Sequence, residues 1–199
     1  MKRLVTFAAA LTLAVCSVSC SVPTGGGSSA RENGLSCSFG SPVELTLDDM
    51  SAEGEIRRLG EGEWVVDFSS PNTLSGVELS FSEGSVTANY KGLNFSVPKS
   101  ALPVKAMILN LIEAVDTNAR LAELNGSEKE GLLEITGSLE GGDYILRIDR
   151  EGCISEFEMP NNKLKIVFTD VNTITVPSTD ENISTQAVTA QPVTEVTTQ

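Results

Sequence analysis

The sequence predicts a mainly β protein of the α+β class, in which about ten antiparallel strands form one curled sheet and one or two helices cover it. Three observations indicate this class. Apolar residues alternate with polar residues along most of the chain. Short turns that contain glycine or asparagine separate the alternating runs, and one segment has the wider apolar spacing of a helix. Because turns this short join antiparallel neighbours, we expect a meander.

Alternation predicts about six strands before the helix and four after it. The earlier runs include residues 43–47, 64–68, 77–82, 86–90 and 93–97, and the later ones lie at 133–135, 144–148, 155–159 and 164–168. Turn sequences fall between them, as at Lys91-Gly92 and Gly141-Gly142.

The helix is predicted for residues 101–118, after the sixth strand. Ser100 is a suitable N-cap and Pro103 suits a first turn. The segment has a broad apolar arc, and residues 119–124 extend it by a turn or two if the helix continues.

This helix is too narrow to cover the sheet. Ten strands spaced by about 4.8 Å make a sheet nearly 50 Å wide, whereas a helix is about 10 Å across. The apolar face must therefore curl around the helix, fold over as a sandwich, or hold an apolar ligand or partner. We predict a curled half-barrel with a helical lid over an apolar groove; plain core packing of the same side chains is the alternative. The predicted groove residues are Trp64, Val66, Phe68, Leu79, Phe81, Phe95, Met107, Leu111, Val115, Leu146, Phe157 and Met159.

The N-terminus has the pattern of an export signal over residues 1–19. Lys2 and Arg3 precede a short apolar run, which is followed by small residues and then Cys20. Small residues before a cysteine are typical of the lipobox of bacterial lipoproteins, so we predict that Cys20 carries the lipid. Cys16 is the alternative lipidated residue, and secretion with an unmodified Cys20 is the third interpretation.

Composition divides the rest of the chain into three parts. Residues 20–36 are rich in glycine and serine and predict a flexible tether. Residues 37–171 carry the alternating pattern and predict the folded domain. Residues 172–199 are rich in threonine, with no apolar periodicity, and predict a disordered tail. Cys37 and Cys153 then remain in the domain, where they either form a disulfide or stay as separate thiols.

Charge and composition exclude several functions. The chain has no histidine and a formal net charge of -13. The lack of imidazole argues against catalytic triads and common zinc sites, and the acidity argues against a nucleic-acid partner. Carboxylate pairs occur at Asp48-Asp49 and at Glu156 with Glu158, in places where solvated acids are the ordinary interpretation. We therefore predict no enzyme activity, no metal and no cofactor.

The order of these features resembles a known family. An exported chain with Trp64-Val-Val-Asp-Phe68, then Ser70-Pro71 and Leu74-Ser-Gly76, a meander, a helical insertion and four closing strands resembles the outer-membrane lipoprotein carrier superfamily. That group includes LolA, LolB, the mycobacterial LppX type and sensor domains related to RseB. The resemblance implies a half-open barrel with a helical lid over a cavity for acyl chains or acylated peptides.

Two functions follow from this reasoning. In the first, the protein is a lipoprotein anchored on the extracytoplasmic side of the cell membrane, and it binds lipid or an acylated substrate in its groove. In the second, the same fold is an interaction or sensory module that binds another envelope protein, such as a membrane-bound regulator. In both we expect a monomer.

The lipid anchor is testable in cells. We expect Cys20→Ser to move the protein out of the membrane fraction while Cys16→Ser leaves it there, because only the acylated thiol holds the chain on the bilayer. Membrane fractionation followed by immunoblotting measures this. If Cys20→Ser stays in the membrane at the level of the unmodified chain, the wrong cysteine has been chosen.

Overall fold

A computed structural model of the protein describes residues 28–82, 84–102 and 106–175. Within these ranges thirteen strands form one antiparallel sheet that does not close, accompanied by one α-helix, α1 (Met107–Ala119). The predicted mainly β class with one helix and a large open antiparallel sheet is confirmed. The strands are β1 (Ser28–Glu32), β2 (Phe39–Leu47), β3 (Met50–Gly60), β4 (Glu63–Ser70), β5 (Val77–Ser82), β6 (Ser85–Tyr90), β7 (Leu93–Pro98), β8 (Glu123–Lys129), β9 (Leu132–Leu139), β10 (Gly142–Ile148), β11 (Ile154–Met159), β12 (Leu164–Phe168) and β13 (Asn172–Thr173).

The sheet is two meanders joined in the middle. Its order is β1-β8-β9-β10-β11-β12-β2-β3-β4-β5-β6-β7, and β13 also pairs with β2 beyond β12. After β1 at one edge, the chain forms β2 in the middle of the sheet and continues strand by strand outwards to β7. After α1 it resumes with β8 beside β1 and runs inwards to β12, which pairs with β2. β1 and β7 are the two edges of the sheet.

The prediction of about ten strands missed β1, β3, β8 and the two-residue β13, and the helix follows the seventh strand instead of the sixth. In β3 the inward positions include Ala52 and the charged Arg58, so the strand does not read as apolar alternation. In β8 only Leu124 is buried. Both strands are held by backbone pairing with their neighbours, which side-chain patterns do not reveal.

The predicted tether ends earlier than residue 36. Ser28–Glu32 pair with β8, and Leu35 in the following 3-10 turn (Gly34–Ser36) is completely buried. At the other end, Asn172 and Thr173 pair with β2, so the domain extends beyond the predicted boundary at 171. The predicted signal, Cys20, the first part of the tether and most of the tail lie outside the described residues.

The helix also starts later than predicted. Ser100 lies in a 3-10 turn (Lys99–Ala101), and the backbone of Leu102 is extended. Proline disfavours helical geometry in the residue before it, so Pro103 keeps Leu102 extended. The N-cap of α1 is Ala106, which has no capping side chain. The suggested continuation through residue 124 is wrong, because β8 begins at Glu123. No helix in the described residues is long and apolar enough to cross a membrane.

Both halves of the sheet contact α1. The Asp116 carboxylate accepts a hydrogen bond from the Trp64 indole of β4 at 3.2 Å, and Asn118 donates one to the Tyr144 hydroxyl of β10 at 3.1 Å. In the sheet order, β4 and β10 are five steps apart. That is about 24 Å along a flat sheet, more than twice the width of a helix. The sheet therefore curves around α1.

A network of ion pairs covers the outer face of β9, β10 and β11. Arg147 of β10 bonds Glu134 at 2.9 Å and Glu158 at 2.8 Å, and it also pairs with Glu156. The hydrogen bond from Arg147 is the main reason why the pKa of Glu134 lies below its usual value. Lys129 also pairs with Glu134 at 3.5 Å, and Lys165 pairs with Glu156 at 2.7 Å. The Arg147 guanidinium, which contacts all three carboxylates, is thus the centre of a network that relieves their mutual repulsion.

This network predicts a pH-dependent loss of stability in Arg147→Gln. At pH 7 we expect the free energy of unfolding to fall by about 2–3 kcal/mol, because charged hydrogen bonds of a largely buried guanidinium are lost. Glu134 has a lowered pKa in the folded state, so its contribution is present above its unfolded pKa and disappears as the pH falls.

The difference in the free energy of unfolding between the unsubstituted protein and Arg147→Gln should therefore shrink as the pH is lowered through the range in which carboxylates titrate. Urea denaturation at several pH values measures it. Arg120→Gln is the matched control, since Arg120 forms a single, exposed ion pair with Glu61 and its loss should change little. An Arg147→Gln effect of equal size at every pH would contradict this account.

Candidate functional site

An apolar groove of about 340 Å³ lies between the N-terminal half of α1 and strands β5, β6 and β7. Every side chain that lines it is apolar. The lining residues are Leu79, Phe81, Val86, Ala88, Phe95, Val97, Leu102, Ala106, Met107, Ile108 and Leu109. Among the described residues, the groove lining has no charged group or hydrogen-bonding side chain to orient a polar substrate. It is suited to a hydrocarbon chain.

Strand register builds the floor of the groove. Phe81, Val86 and Val97 are cross-strand partners on β5, β6 and β7, and so are Leu79, Ala88 and Phe95. Two apolar rows therefore cross the same face of the sheet. Ala88 lies in the middle of the second row between two much larger side chains. Its small size leaves the hollow that the larger side chains surround.

The helix forms one wall, and the edge strand forms the rim. Met107 and Leu109 are partly buried at the start of α1, and Ile108 is buried. On the opposite side Phe95 is 65% exposed and Val97 is 41% exposed. A large aromatic side chain left mostly in water at the mouth of an apolar groove indicates a surface that is covered when something binds.

The C-terminal half of α1 is fixed by a buried polar cluster. Asp116 accepts hydrogen bonds from Arg58 Nε at 2.9 Å, from the Gly62 amide at 2.8 Å and from Trp64 Nε1 at 3.2 Å. Arg58 is only 4% exposed, and it also donates to the Cys37 carbonyl at 3.2 Å. Every oxygen of the carboxylate thus has a donor, and the charge of Arg58 has its counter-charge.

A second set of bonds closes the end of the helix. Asn33 donates to the carbonyls of Asn118 and Leu121 at 2.9 and 2.6 Å. Carbonyls at and just beyond the C-terminus of a helix have no partner within the helix itself. The helix is therefore anchored by polar bonds at its C-terminal end, whereas its N-terminal turn contributes apolar side chains to the groove.

Four of the residues predicted from the sequence line this groove: Leu79, Phe81, Phe95 and Met107. The structure does not bring the other eight to it. Trp64, Val66, Phe68, Leu111, Val115, Leu146, Phe157 and Met159 are buried in the core, with exposures between 0 and 9%. A ligand contact by any of the twelve stays a prediction. Sequence reasoning missed Val86, Ala88 and Val97, although their alternation on β6 and β7 was visible.

Other candidate features of the described residues have structural partners. Asp48 pairs with Lys163, and Glu156 and Glu158 pair with Arg147. No group of three or more histidine, cysteine, aspartate or glutamate side chains in the described ranges is placed to hold a metal ion. A larger cleft of about 580 Å³ beside the β9–β10 hairpin is lined mostly by small and polar residues such as Thr136, Ser138 and Asp143. It offers no converging reactive groups.

The two domain cysteines are not bonded to each other in this structure. Cys37 is exposed, and Cys153 is partly buried. Burial is the main cause that raises the pKa of the Cys153 thiol, and the neighbouring Asp149 and Glu151 raise it further. A raised pKa favours the unreactive protonated form. The disulfide between them stays a prediction.

Comparison with known proteins gives similarity of structure only. No family model matches the chain, and no curated protein matches it. An uncharacterized conserved protein from Thermus thermophilus is similar at a TM-score of 0.47 and 13% identity, covering 71% of this chain and 82% of that one.

Two further solved structures carry names from the superfamily suggested by the sequence. A putative outer membrane lipoprotein-sorting protein domain from Vibrio parahaemolyticus has a TM-score of 0.36 and 10% identity, covering 72% of this chain and 87% of that one. A LolA superfamily protein from Nitrosomonas europaea has a TM-score of 0.34 and 7% identity, covering 71% and 88%. The superfamily that the sequence resembles is therefore named among the solved structures similar to this chain. The function proposed below depends on the groove and not on these matches.

The polar cluster predicts a large effect of Asp116→Ala. We expect the free energy of unfolding to fall by about 3–5 kcal/mol, because the substitution leaves the buried Arg58 without its counter-charge. Chemical denaturation measures this. Glu113→Ala is the control on the same helix, since Glu113 is exposed and should change stability by less than about 0.5 kcal/mol. Equal effects of the two substitutions would mean that Asp116 does not anchor the helix.

Proposed function

We propose that this protein is a cell-envelope lipoprotein that binds a single acyl chain of a lipid or acylated substrate in the groove between α1 and β5–β7. The observation that carries the proposal is the groove itself, which is open at the rim and whose lining, over the part of the chain that the structure describes, consists of apolar side chains. Such a surface is costly to leave in water and gains free energy when hydrocarbon covers it.

The size of the groove supports one chain. A methylene group occupies about the same volume as a water molecule in the liquid, roughly 30 Å³, so 340 Å³ holds about a dozen carbons. Longer chains would extend over the rim at Phe95 and Val97. Met107 at the wall is flexible enough to repack around chains of different length.

The predicted lipid anchor supports a local role. With Cys20 acylated, the domain would stay within a short distance of the extracytoplasmic membrane surface, since only a few residues separate Cys20 from β1. A protein held there would take acyl chains from the same membrane or from proteins beside it. The described lining residues carry no charge, which fits hydrocarbon as the recognised part, with the headgroup left in water.

One observation favours the alternative function, an interaction or sensory module that binds a membrane-bound regulator. All six residues of β7 are exposed, and β7 is the last strand of the sheet that the described residues form. A protein partner could cover the same apolar rim that an acyl chain would cover.

Ala88→Trp tests acyl binding from the floor of the groove. We expect the indole to fill the hollow, so that a fluorescent fatty acid of about a dozen carbons loses at least tenfold in affinity. The full chain with Cys16→Ser and Cys20→Ser avoids an attached lipid of its own. Fluorescence titration measures affinity, and thermal denaturation measures stability.

Thr87→Trp is the matched control. Thr87 is the neighbouring residue on β6, and its hydroxyl bonds Ser96 on the opposite face, so the same indole there leaves the groove empty. Acyl binding should persist in Thr87→Trp. If the unsubstituted chain binds neither the fatty acid nor a lipopeptide, the acyl-binding function is wrong and the interaction module is the better account.

A further inference from the structure

The outer edge of β7 is an unpaired strand edge with an apolar face. In the described residues β7 pairs with β6 alone, at the end of the sheet. Leu93 is 61% exposed, Phe95 65% and Val97 41%, so one whole face of the strand is open to solvent. Free strand edges of this kind pair readily with another strand.

The backbone groups that face outwards can be identified. The turn Lys91-Gly92 has positive φ at both residues, as in a two-residue hairpin, so its flanking pair Tyr90 and Leu93 exchange hydrogen bonds. At the other end of the strand, the Lys99 amide donates to the Gly84 carbonyl at 2.7 Å and continues the same alternation. Odd-numbered residues of β7 therefore bond to β6, and the amides and carbonyls of Asn94 and Ser96 point away from the sheet.

Apart from Pro98 at its end, the edge has few of the devices that usually prevent strand pairing. Between Ser85 and Pro98 only Lys91 is charged, and its ammonium group lies 4.9 Å from the ring centre of Tyr90. The opposite edge, β1, carries Arg31 and Glu32. In a chain with a formal net charge of -13, β6 and β7 form the uncharged margin where two copies can approach without acid facing acid.

We propose that, in place of the monomer expected from the sequence, a second copy of this chain pairs with β7, antiparallel and about a two-fold axis at Phe95. In this register Asn94 of each copy lies opposite Ser96 of the other, and each pair exchanges two backbone hydrogen bonds. Phe95 lies opposite Phe95, and Leu93 lies opposite Val97. The apolar stripe then continues across the axis, because the sequence 93–97 alternates symmetrically about Phe95.

The ends of the strand select this register. Gly92 has φ near 84°, so it is not extended and ends the edge on one side. Pro98 has no amide to donate and ends it on the other side. Any shift along the strand would place one of these residues opposite an outward-facing amide or carbonyl. A pairing over so few residues gives a small interface, so the dimer should form at high concentration.

The dimer and the proposed acyl binding are tested separately, although both involve the rim of the groove. Phe95 and Val97 line the groove and also lie at the pairing edge. Pairing would bring two grooves together at the axis. Failure of either proposal leaves the other intact, because one is read from molecular mass and the other from probe affinity.

Ser96→Pro tests the pairing directly. The substitution removes an outward-facing amide but keeps the ladder to β6, since Ser96 does not use its amide there. The full chain carrying Cys16→Ser and Cys20→Ser is measured by sedimentation velocity from about 1 μM to about 1 mM, the range suited to small interfaces. We expect the unsubstituted chain to dimerise and Ser96→Pro to weaken the dimer at least tenfold.

Ser96→Ala is the control, because it loses the same side-chain contact with Thr87 and keeps the amide. It should dimerise as the unsubstituted chain does. Circular dichroism shows whether each variant is folded. Salt should strengthen the dimer, since Lys91 of one copy lies near Lys99 of the other in the proposed register.

Cysteine scanning tests the register. In a chain whose four native cysteines are replaced by serine, Phe95→Cys should form a disulfide-linked dimer on mild oxidation, because residues opposite each other at a non-hydrogen-bonded pair have Cα atoms about 4.5 Å apart. Asn94→Cys should cross-link at least tenfold more slowly. In this register residue 94 of one copy lies opposite residue 96 of the other, so the two copies of residue 94 are diagonal neighbours and lie farther apart.

Four results would overturn the proposal. A monomer at every concentration would do so, and so would a dimer unaffected by Ser96→Pro. A monomer in which the amides of Asn94 and Ser96 exchange slowly with solvent would show that the edge is covered by another segment of the same chain. A co-purified protein of different mass at this edge, in place of a second copy, would assign it to another partner.

Discussion

The position of the helix follows from where its polar bonds lie. Asp116 is the point at which donors from Arg58, Gly62 and Trp64 converge, and it is placed in the C-terminal half of α1. A buried carboxylate cannot move away from these donors without exposing unpaired charge in the core. The helix of 13 residues, about 20 Å long, is thereby held over the middle of a much wider curved sheet. Its N-terminal turn reaches only the near side of β5–β7, and the groove is the part of the apolar sheet face that the helix leaves uncovered.

The shape of that groove comes from side-chain size and strand order together. The row across β5, β6 and β7 has a large residue on each side of Ala88, so the sheet itself provides a hollow. The strand that closes the row is also the last strand of the sheet. Phe95 therefore serves as the rim of a cavity and as part of a free edge, and anything that covers it buries substantial apolar area. Ligand and partner would compete for, or share, one surface.

Charged side chains are concentrated away from the groove and the edge strand β7. The outer face of β9–β11 has its carboxylates gathered around Arg147, which relieves their mutual repulsion together with Lys129 and Lys165. The margin formed by β6 and β7 has no acid at all. An acidic protein with one neutral, apolar margin is repelled from other acidic surfaces everywhere except there. This makes the groove side the favoured face for contact with hydrocarbon or with a strand of neutral character.

The sequence by itself determined the class of the fold and the apolar face of most strands, because alternation is a local property that burial imposes on each strand separately. Alternation assigned Leu79 and Phe81 to the apolar face of β5, which lines the groove. The wider apolar spacing that follows indicated the helix, although the helix begins at Met107, after Pro103. Only the tertiary structure decided which apolar residues are core and which are groove. Leu111 and Met107 share a helix face, yet one is fully buried and the other borders the groove. That difference depends on how far the sheet curls past the helix, and the curl depends on contacts between residues distant in the chain, such as Arg58 with Asp116, which no local pattern encodes.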